Sequence, residues 1–162
     1  MYRVRRTQES GASAVEFALV STVLFLLLFG IIQYGLYFND SLNTRQGVRE
    51  AARKAVVENF SYMTGCTTGA NSLQLRCSAG KDIDAVTGTT YVKVSATSWA
   101  KGSPVIVCAM VHSDGALGIL PMPDGGWIRS KTEMSIEQAT KAGAWTNTQD
   151  TLPAGRTWGW CT

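Results

Sequence analysis

Hydrophobic residues are concentrated near the start of the chain, in a run that contains no charged side chain. The run extends over 22 residues, from Phe17 to Phe38. As an α-helix it would be about 33 Å long, which is enough to cross a bilayer core of about 30 Å. The pattern therefore predicts one membrane-spanning helix over about residues 17–38.

The same helix is predicted to continue beyond the membrane, so that it covers residues 12–60. Small apolar residues recur in its second half at spacings of three and four: Val48, Ala51, Ala52, Ala55 and Val56. A narrow face of small residues allows another backbone to approach closely. We therefore expect this half of the helix to pack on a sheet.

Three later segments have strand patterns. Residues 89–97 alternate apolar with polar side chains, which is typical of a half-buried strand. Residues 104–111 are more continuously apolar, which indicates a central strand or one covered on both faces. Residues 128–137 form a third candidate with imperfect alternation. The chain is thus predicted to be α+β, with one long helix packed on a small antiparallel sheet.

The connections are predicted from Gly, Pro, Ser and Thr. Residues 63–81 are rich in Gly, Thr and Ser and are predicted to be a loop. Residues 114–127 contain four glycines and two prolines, which predicts a long connection, with one short helical turn at 116–120. Tryptophans at 145, 158 and 160 in the polar C-terminal segment are expected to complete a core near a disulfide. The alternative is that they line a ligand surface or the membrane interface.

Cysteine usage indicates the compartment of residues 61–162. Four cysteines lie beyond the apolar run: Cys66, Cys77, Cys108 and Cys161. Two disulfides in a small domain require an oxidising compartment, so this domain is expected outside the cytoplasm. Cys66–Cys77 is the favoured pair because it closes a short loop, and Cys108–Cys161 follows by elimination. All three connectivities remain formally open.

The distribution of charge neither decides the membrane topology nor indicates a binding partner. Residues 1–11 hold three arginines and one glutamate, whereas residues 12–162 hold 12 Lys or Arg and 11 Asp or Glu. Arginines flank both sides of the apolar run, so the positive-inside count does not decide the topology. The distribution has no basic footprint for nucleic acid, which is therefore not expected as a partner.

The N-terminal third resembles the prepilin class, and within it the TadE-like minor pseudopilins of the tight-adherence (Tad) pilus machinery. The strong similarity covers about residues 5–57. The matching features are Arg5-Arg6, Gly11, Glu16-Phe17, the apolar segment 18–38, the stretch 30–35, and residues 47–53. Beyond residue 57, the order of strands and the segment 132–137 are similar.

The resemblance implies a pilin-like fold and a processing event. A prepilin peptidase would cut after Gly11, so residues 1–11 would be a leader and Ala12 the mature N-terminus. Glu16 and Phe17 would then serve in assembly, with Glu16 pairing with the new amine to set the register between subunits. The expected partners are the peptidase, other pilin or pseudopilin subunits, the Tad secretion machinery and the bilayer. The protein would be a single-pass cell-membrane protein with a cytoplasmic N-terminus and an extracytoplasmic C-terminal domain, and incorporation into a pilus is compatible with this. It would be a minor subunit or assembly factor in pilus biogenesis and adhesion.

No residue pattern predicts catalysis, and we expect neither a cofactor nor a metal. His112 is the single histidine, which excludes the usual Cys/His zinc sets. His112-Ser113-Asp114 has triad residue types, but adjacency in sequence does not give triad geometry. Asp82 and Asp84 begin like a calcium loop that then lacks its remaining ligands. The alternative to a pseudopilin is an uncleaved single-pass membrane protein whose outer domain binds a ligand or acts as a scaffold.

Overall fold

The computed structural model describes residues 9–83, 88–113, 120–141 and 145–162, and for residues 9 and 10 it describes the backbone alone. The chain forms one long helix, a second short helix and a four-stranded antiparallel sheet. This confirms the α+β prediction. The predicted helical turn at 116–120 falls mostly outside the described residues.

The long helix, α1 (Glu9–Val56), contains 48 residues and no proline. It ends four residues before the predicted position. Glu58 adopts a left-handed conformation with φ 55°, and its N–H donates to Ala55 O while the N–H of Asn59 donates to Lys54 O, both at 2.9 Å. This is the hydrogen-bond pattern of a Schellman C-cap, in which a glutamate occupies the position usually taken by glycine.

The prediction of a loop over residues 63–81 is wrong for its second half. Residues Asn71–Asp82 form helix α2, in which Ser72, Leu75, Ser78 and Ala79 are buried at helical spacing. The Gly, Thr and Ser content of residues 63–70 was extended to this segment, but its one-sided pattern of burial is that of a helix packed on a core. Half of its residues are Leu, Gln, Arg, Ala or Lys, which favour a helix.

The sheet consists of β1 (Gly88–Ala96), β2 (Pro104–Ser113), β3 (Trp127–Ser135) and the two-residue β4 (Thr148–Gln149). Its order is β3-β2-β1-β4, and every pair is antiparallel, with Val94 opposite Val107 and Val107 opposite Thr132. Strand β2 is central, as predicted. Strand β4 was not predicted, and a short 3₁₀ turn (Pro123–Gly126) precedes β3.

The two helices cover the inner face of the sheet. Val48, Ala51 and Ala55 of α1 are fully buried against Val107 and the other inner-face valines of the sheet. Alanine side chains add little bulk, which allows the helix to lie close to the strands. The small-residue face therefore packs on the sheet as expected from the sequence.

The C-terminal segment covers the outer face. It runs from β4 across the sheet, where Trp158 and Cys161 pack with Cys108 and Met110 of β2. Disulfides join Cys66 to Cys77 and Cys108 to Cys161, which is the pairing that the sequence favoured. Trp158 lies beside a disulfide, as expected. Trp145 instead stacks on Trp99 at the inner core, with ring centroids 4.1 Å apart.

Candidate functional site

The Gly11–Ala12 peptide bond lies near the N-terminal end of the described part of α1 (Glu9–Val56). Glycine weakens a helix by roughly 0.5–1 kcal/mol relative to alanine, so the backbone opens more easily at Gly11 than at its alanine neighbours. Both residues are exposed. The bond is therefore accessible from outside the chain.

Glu16 lies one helical turn after Ala12, and both Glu16 and Phe17 are exposed. Phe17 is 73% exposed. Among the residues that the structure describes, no cation lies within ion-pair distance of the Glu16 carboxylate. An amine created at Ala12 would be four residues away on the same helix face, where the positive end of the helix dipole also favours a carboxylate.

From Phe17 to Leu28 the surface of α1 is uncharged and mainly apolar around its whole circumference. Residues 11–28 are exposed except for the half-buried Ser21. The hydroxyls of Ser21 and Thr22 both donate to the carbonyl of Ala18, at 3.1 and 2.8 Å, so the polar side chains of this stretch are satisfied within the helix. In the described part of the chain, one helix is long and apolar enough to cross a membrane, with a window of mean hydropathy 2.5. These properties are those of a single-pass membrane anchor.

Apolar side chains continue beyond this stretch on one side of α1. Ile31, Phe38 and Leu42 are 74%, 62% and 57% exposed, and they follow one another at spacings of seven and four. We call these three residues the outer stripe. The opposite side of the helix, which includes Gln33 and Asp40, is buried against the protein's own domain.

Gln33 connects the helix to the segment that precedes β3. Its side-chain Nε2 donates to Leu120 O at 2.7 Å, and its Oε1 accepts from the Leu120 N–H at 3.1 Å. The neighbouring Tyr34 hydroxyl donates to Pro121 O at 2.8 Å. Gly30 leaves the space for Leu120, because a Cβ there would lie 3.0 Å from Leu120 Cδ1. We call this set of contacts the Gln33 clamp.

A second buried polar contact lies two turns further along α1. Asp40 is fully buried, and its Oδ2 accepts from Ser113 Oγ at 2.9 Å. The Thr44 hydroxyl donates to the Asp40 carbonyl at 2.6 Å. Sequence reasoning missed both Gln33 and Asp40. The available signal was their spacing of seven, which places two polar residues on the face that later carries the small apolar residues.

The C-terminal segment is also attached by charge to the turn before β3. Asp124 forms ion pairs with Arg129 and with Arg156, the latter at 3.2 Å. Hydrogen bonds from Arg129 and then from Arg156 hold the pKa of Asp124 below its usual value. The Arg156 guanidinium lies 4.8 Å from the centre of the Trp127 ring. These contacts reinforce the Cys108–Cys161 disulfide in holding the segment on the sheet.

Residues considered for metal or triad chemistry do not form a site in the described chain. No group of three or more His, Cys, Asp or Glu side chains is arranged to hold a metal ion within the described ranges. The His112 ring packs on Trp127 with centroids 4.6 Å apart, whereas Ser113 bonds to Asp40. Asp84 and Asp114 lie outside the described residues.

The fold is α+β, and within the described residues one N-terminal helix has the length and composition of a membrane anchor. Residues 11–53 match the family model described as TadE-like protein. The match confirms the resemblance over that segment, and it begins at Gly11. No curated protein and no solved structure matches the chain. The family match and the apolar helix together fit a membrane protein related to the Tad pilus.

Proposed function

We propose that this chain is a prepilin-peptidase-processed pseudopilin, acting as a minor subunit or assembly factor of a Tad pilus. The observation that carries the proposal is the position of Gly11 and Glu16. They lie in the part of α1, residues 11–28, that is exposed around its circumference, and the family match begins at the same glycine. The function is structural: the helix anchors the precursor, and the domain contacts partner subunits and the secretion machinery.

Cleavage after Gly11 is supported by the local backbone. The bond lies beside a glycine, is exposed, and is flanked by small residues. A membrane protease can therefore reach this segment, and glycine lowers the cost of opening the helix there. The leader that is removed contains the three N-terminal arginines.

Glu16 acquires a partner through that cleavage. A carboxylate near the end of a membrane helix loses solvation and requires a compensating charge. The new amine at Ala12 supplies one, either from the same subunit or from a neighbour packed alongside. A pair between neighbours fixes the vertical offset of two helices, which is the register function we assign to Glu16.

The outer stripe supports contact with other subunits. Ile31, Phe38 and Leu42 lie on the side of α1 opposite the domain, so a neighbouring helix can reach them without displacing the sheet. Exposed apolar side chains in a continuous row are typical of an interaction surface.

The two disulfides support one orientation of the chain across the membrane. Disulfides persist in oxidising compartments, which favours an extracytoplasmic domain and, with one span, a cytoplasmic N-terminus. The alternative, an uncleaved anchor protein with a ligand-binding or scaffolding domain, is favoured by one feature. An open groove of about 590 Å³ lies along the C-terminal segment, lined in part by Lys93, Asp150 and Arg156.

The mass of the mature chain separates the two functions. We expect an N-terminus at Ala12 in cells with an active prepilin peptidase, and an intact chain when the peptidase is deleted or in a Gly11→Val variant. An intact N-terminus in the unmodified protein with the peptidase active would exclude the pseudopilin.

The register function has its own test. A Glu16→Ala variant should be cleaved and anchored, yet cross-link to pilus subunits at a small fraction of the normal yield. Val15→Ala is the matched control, since it alters an adjacent exposed side chain and keeps the carboxylate. Equal cross-linking yields in both variants would remove the register function from Glu16.

A further inference from the structure

The surroundings of α1 change at Gly30. Before it, residues 11–20 and 22–28 are exposed around the whole circumference of the helix. From Gly30 onward one side is buried, first by Leu120 and then by the rest of the domain. Only the part before Gly30 can be surrounded by lipid on all sides.

The Gln33 clamp marks a level that the hydrocarbon core does not reach. At this level the backbone of Leu120 and Pro121 is not helical, and Pro121 is exposed. Lipid-exposed irregular backbone does not occur within hydrocarbon. Although the clamp satisfies the Leu120 N–H and both carbonyls, the chain remains exposed at Pro121 and reaches the exposed, charged Asp124 three residues later. Hydropathy alone extends the span to Phe38, which would immerse this backbone in lipid.

The length of the fully exposed part fits a bilayer. In the described chain this part is residues 11–28, with Ser21 half-buried, which form about 27 Å of helix, close to the usual hydrocarbon thickness of about 30 Å. Tyr34 and Tyr37 follow within the next two turns. Tyrosine is enriched at the boundary between hydrocarbon and water, where its ring is apolar and its hydroxyl is hydrated.

We propose that the hydrocarbon core ends at the level of Gly30–Ile31, and that residues 120–122 of the domain rest in the lipid headgroup layer. We call residues 120–122 the rim of the domain, and its partner is the bilayer surface itself. Leu120, Pro121 and Met122 offer it apolar side chains, while Gln33 and Tyr34 satisfy the Leu120 and Pro121 carbonyls. The domain sits directly on the membrane, with no linker between anchor and sheet.

Two further positions follow from this depth. Glu16 lies about 21 Å from the Gly30 level, counted at 1.5 Å per residue, and so about 9 Å inside the opposite edge of a core of about 30 Å. Phe38 and Leu42 lie about 11 Å or more beyond the core, so this part of the outer stripe faces water or a neighbouring protein rather than lipid. The inference does not depend on cleavage at Gly11.

Thiol accessibility tests the depth. The four native cysteines form disulfides, so one introduced cysteine is the single free thiol of the chain. Leu27→Cys, Phe38→Cys and Leu42→Cys replace exposed side chains. They are labelled with a membrane-impermeant maleimide in vesicles at low protein-to-lipid ratio, with the domain facing outward. We expect Phe38→Cys to react within about 10-fold of the rate of Leu42→Cys, and Leu27→Cys at least 100-fold more slowly. Protection of Phe38→Cys to the level of Leu27→Cys would overturn the proposal.

Quenching by lipid tests the rim. A fluorophore on Met122→Cys should be quenched by lipids that carry a nitroxide near the headgroup. Lys101→Cys is the matched control, because this exposed residue lies in the β1–β2 turn, near the far end of α1. Equal, weak quenching at both positions would overturn headgroup contact. The mass of the mature chain is independent of both readouts, so failure here is distinguishable from failure of the pseudopilin function.

Discussion

Glu58 and Thr140 are joined by two hydrogen bonds. The Glu58 carboxylate accepts from the Thr140 N–H at 2.9 Å and from its hydroxyl at 2.8 Å. The same carboxylate accepts from the Lys141 N–H and from Trp99 Nε1. One buried side chain at the end of α1 thus holds the segment after β3 and an aromatic ring of the core.

Removal of the Glu58 carboxylate is therefore expected to be costly. Glu58→Ala leaves several donors without their acceptor, and we expect the free energy of unfolding to fall by about 3 kcal/mol. Glu58→Gln should cost less, because it keeps one acceptor oxygen. Urea denaturation in detergent, followed by tryptophan fluorescence, measures both. Glu133→Ala, at an exposed strand position, is the control and should change stability by less than about 0.5 kcal/mol. If Glu58→Ala also lowered the free energy of unfolding by less than about 0.5 kcal/mol, the Glu58 hydrogen bonds would not have the stabilising role assigned to them.

The two disulfides should contribute unequally. They close loops with sequence separations of 53 and 11 residues. Loop-closure entropy predicts a loss of about 4 kcal/mol when Cys108 and Cys161 are both replaced by alanine, and about 3 kcal/mol for Cys66 and Cys77. Loss of the longer link should also free the C-terminal segment, so that limited proteolysis cuts it first. The reverse order of stabilities would show that the link to the sheet is not the stronger constraint.

Two glycines of α1 should respond oppositely to alanine. A Cβ at Gly47 would lie 2.5 Å from Ile83 Cγ1 and 3.2 Å from Ile83 Cα, whereas nothing lies within 4 Å of a Cβ at Gly35. We expect Gly47→Ala to destabilise by about 1–2 kcal/mol, since overpacking exceeds the gain in helix propensity. Gly35→Ala should be neutral or slightly stabilising. Thermal unfolding of the two variants in the same detergent compares them, and a stabilising Gly47→Ala would refute the close packing of α1 on Ile83.

Asp82 should lower stability at neutral pH. Burial, and then repulsion from Glu50, raise the pKa of its carboxyl above the usual value, although the Tyr62 hydroxyl and Lys54 oppose this. A raised folded-state pKa means that the favourable contribution is full below about pH 4 and is lost as the pH rises through the folded-state value. The charge also opposes the dipole at the end of α2. Asp82→Asn should therefore stabilise at pH 7 by about 0.3–1 kcal/mol.

The pH dependence provides the control for Asp82. The advantage of Asp82→Asn over the unmodified protein should disappear as the pH falls to about 4. Asp124→Asn should have the opposite sign at pH 7, because Arg129 and Arg156 lower the pKa of that carboxyl. Its stabilising contribution is present above the unfolded pKa and is lost as the pH falls through the folded one. Denaturation midpoints of the variants and the unmodified protein at pH 7 and at about pH 4 measure these differences. If the stability change caused by Asp82→Asn were the same at both pH values, the raised pKa of Asp82 would be contradicted.

Sequence patterns predicted the elements that depend on long, regular periodicity. The small-residue face around Ala51 and the apolar strand β2 were recognised because each pattern is repeated along a whole element. Helix α2 was missed because its serines and glycine were grouped with the loop before it, although its buried residues, such as Leu75, recur at helical spacing. Strand β4 has two residues and no pattern of its own, and it exists because β1 offers a free edge.

The candidate site divides in the same way. The segment from Gly11 to Phe17 was singled out by local features, namely its spacing, the arginines before it and the apolar run after it, and its roles stay predictions. The Gln33 clamp could not, because its partner at Leu120 is 87 residues away. A polar residue inside an apolar run indicates that some partner is needed, but only the fold identifies it. The same holds for Asp40 and Ser113, which are 73 residues apart.

Because α1 is one unbroken helix, it also determines the orientation of the domain relative to the membrane anchor. A helix turns by about 100° and rises by 1.5 Å with each residue. The number of residues between Glu16 and Gln33 therefore fixes the rotation of the sheet about the helix axis, relative to Glu16, and its distance from Glu16 along that axis. One added residue would swing the domain through about a quarter of a circle with little change in height. Seven added residues would nearly restore the rotation about the helix axis while moving the domain by about 10 Å along it. The length of this segment is thus a geometric parameter of any assembly in which both ends of the helix have partners.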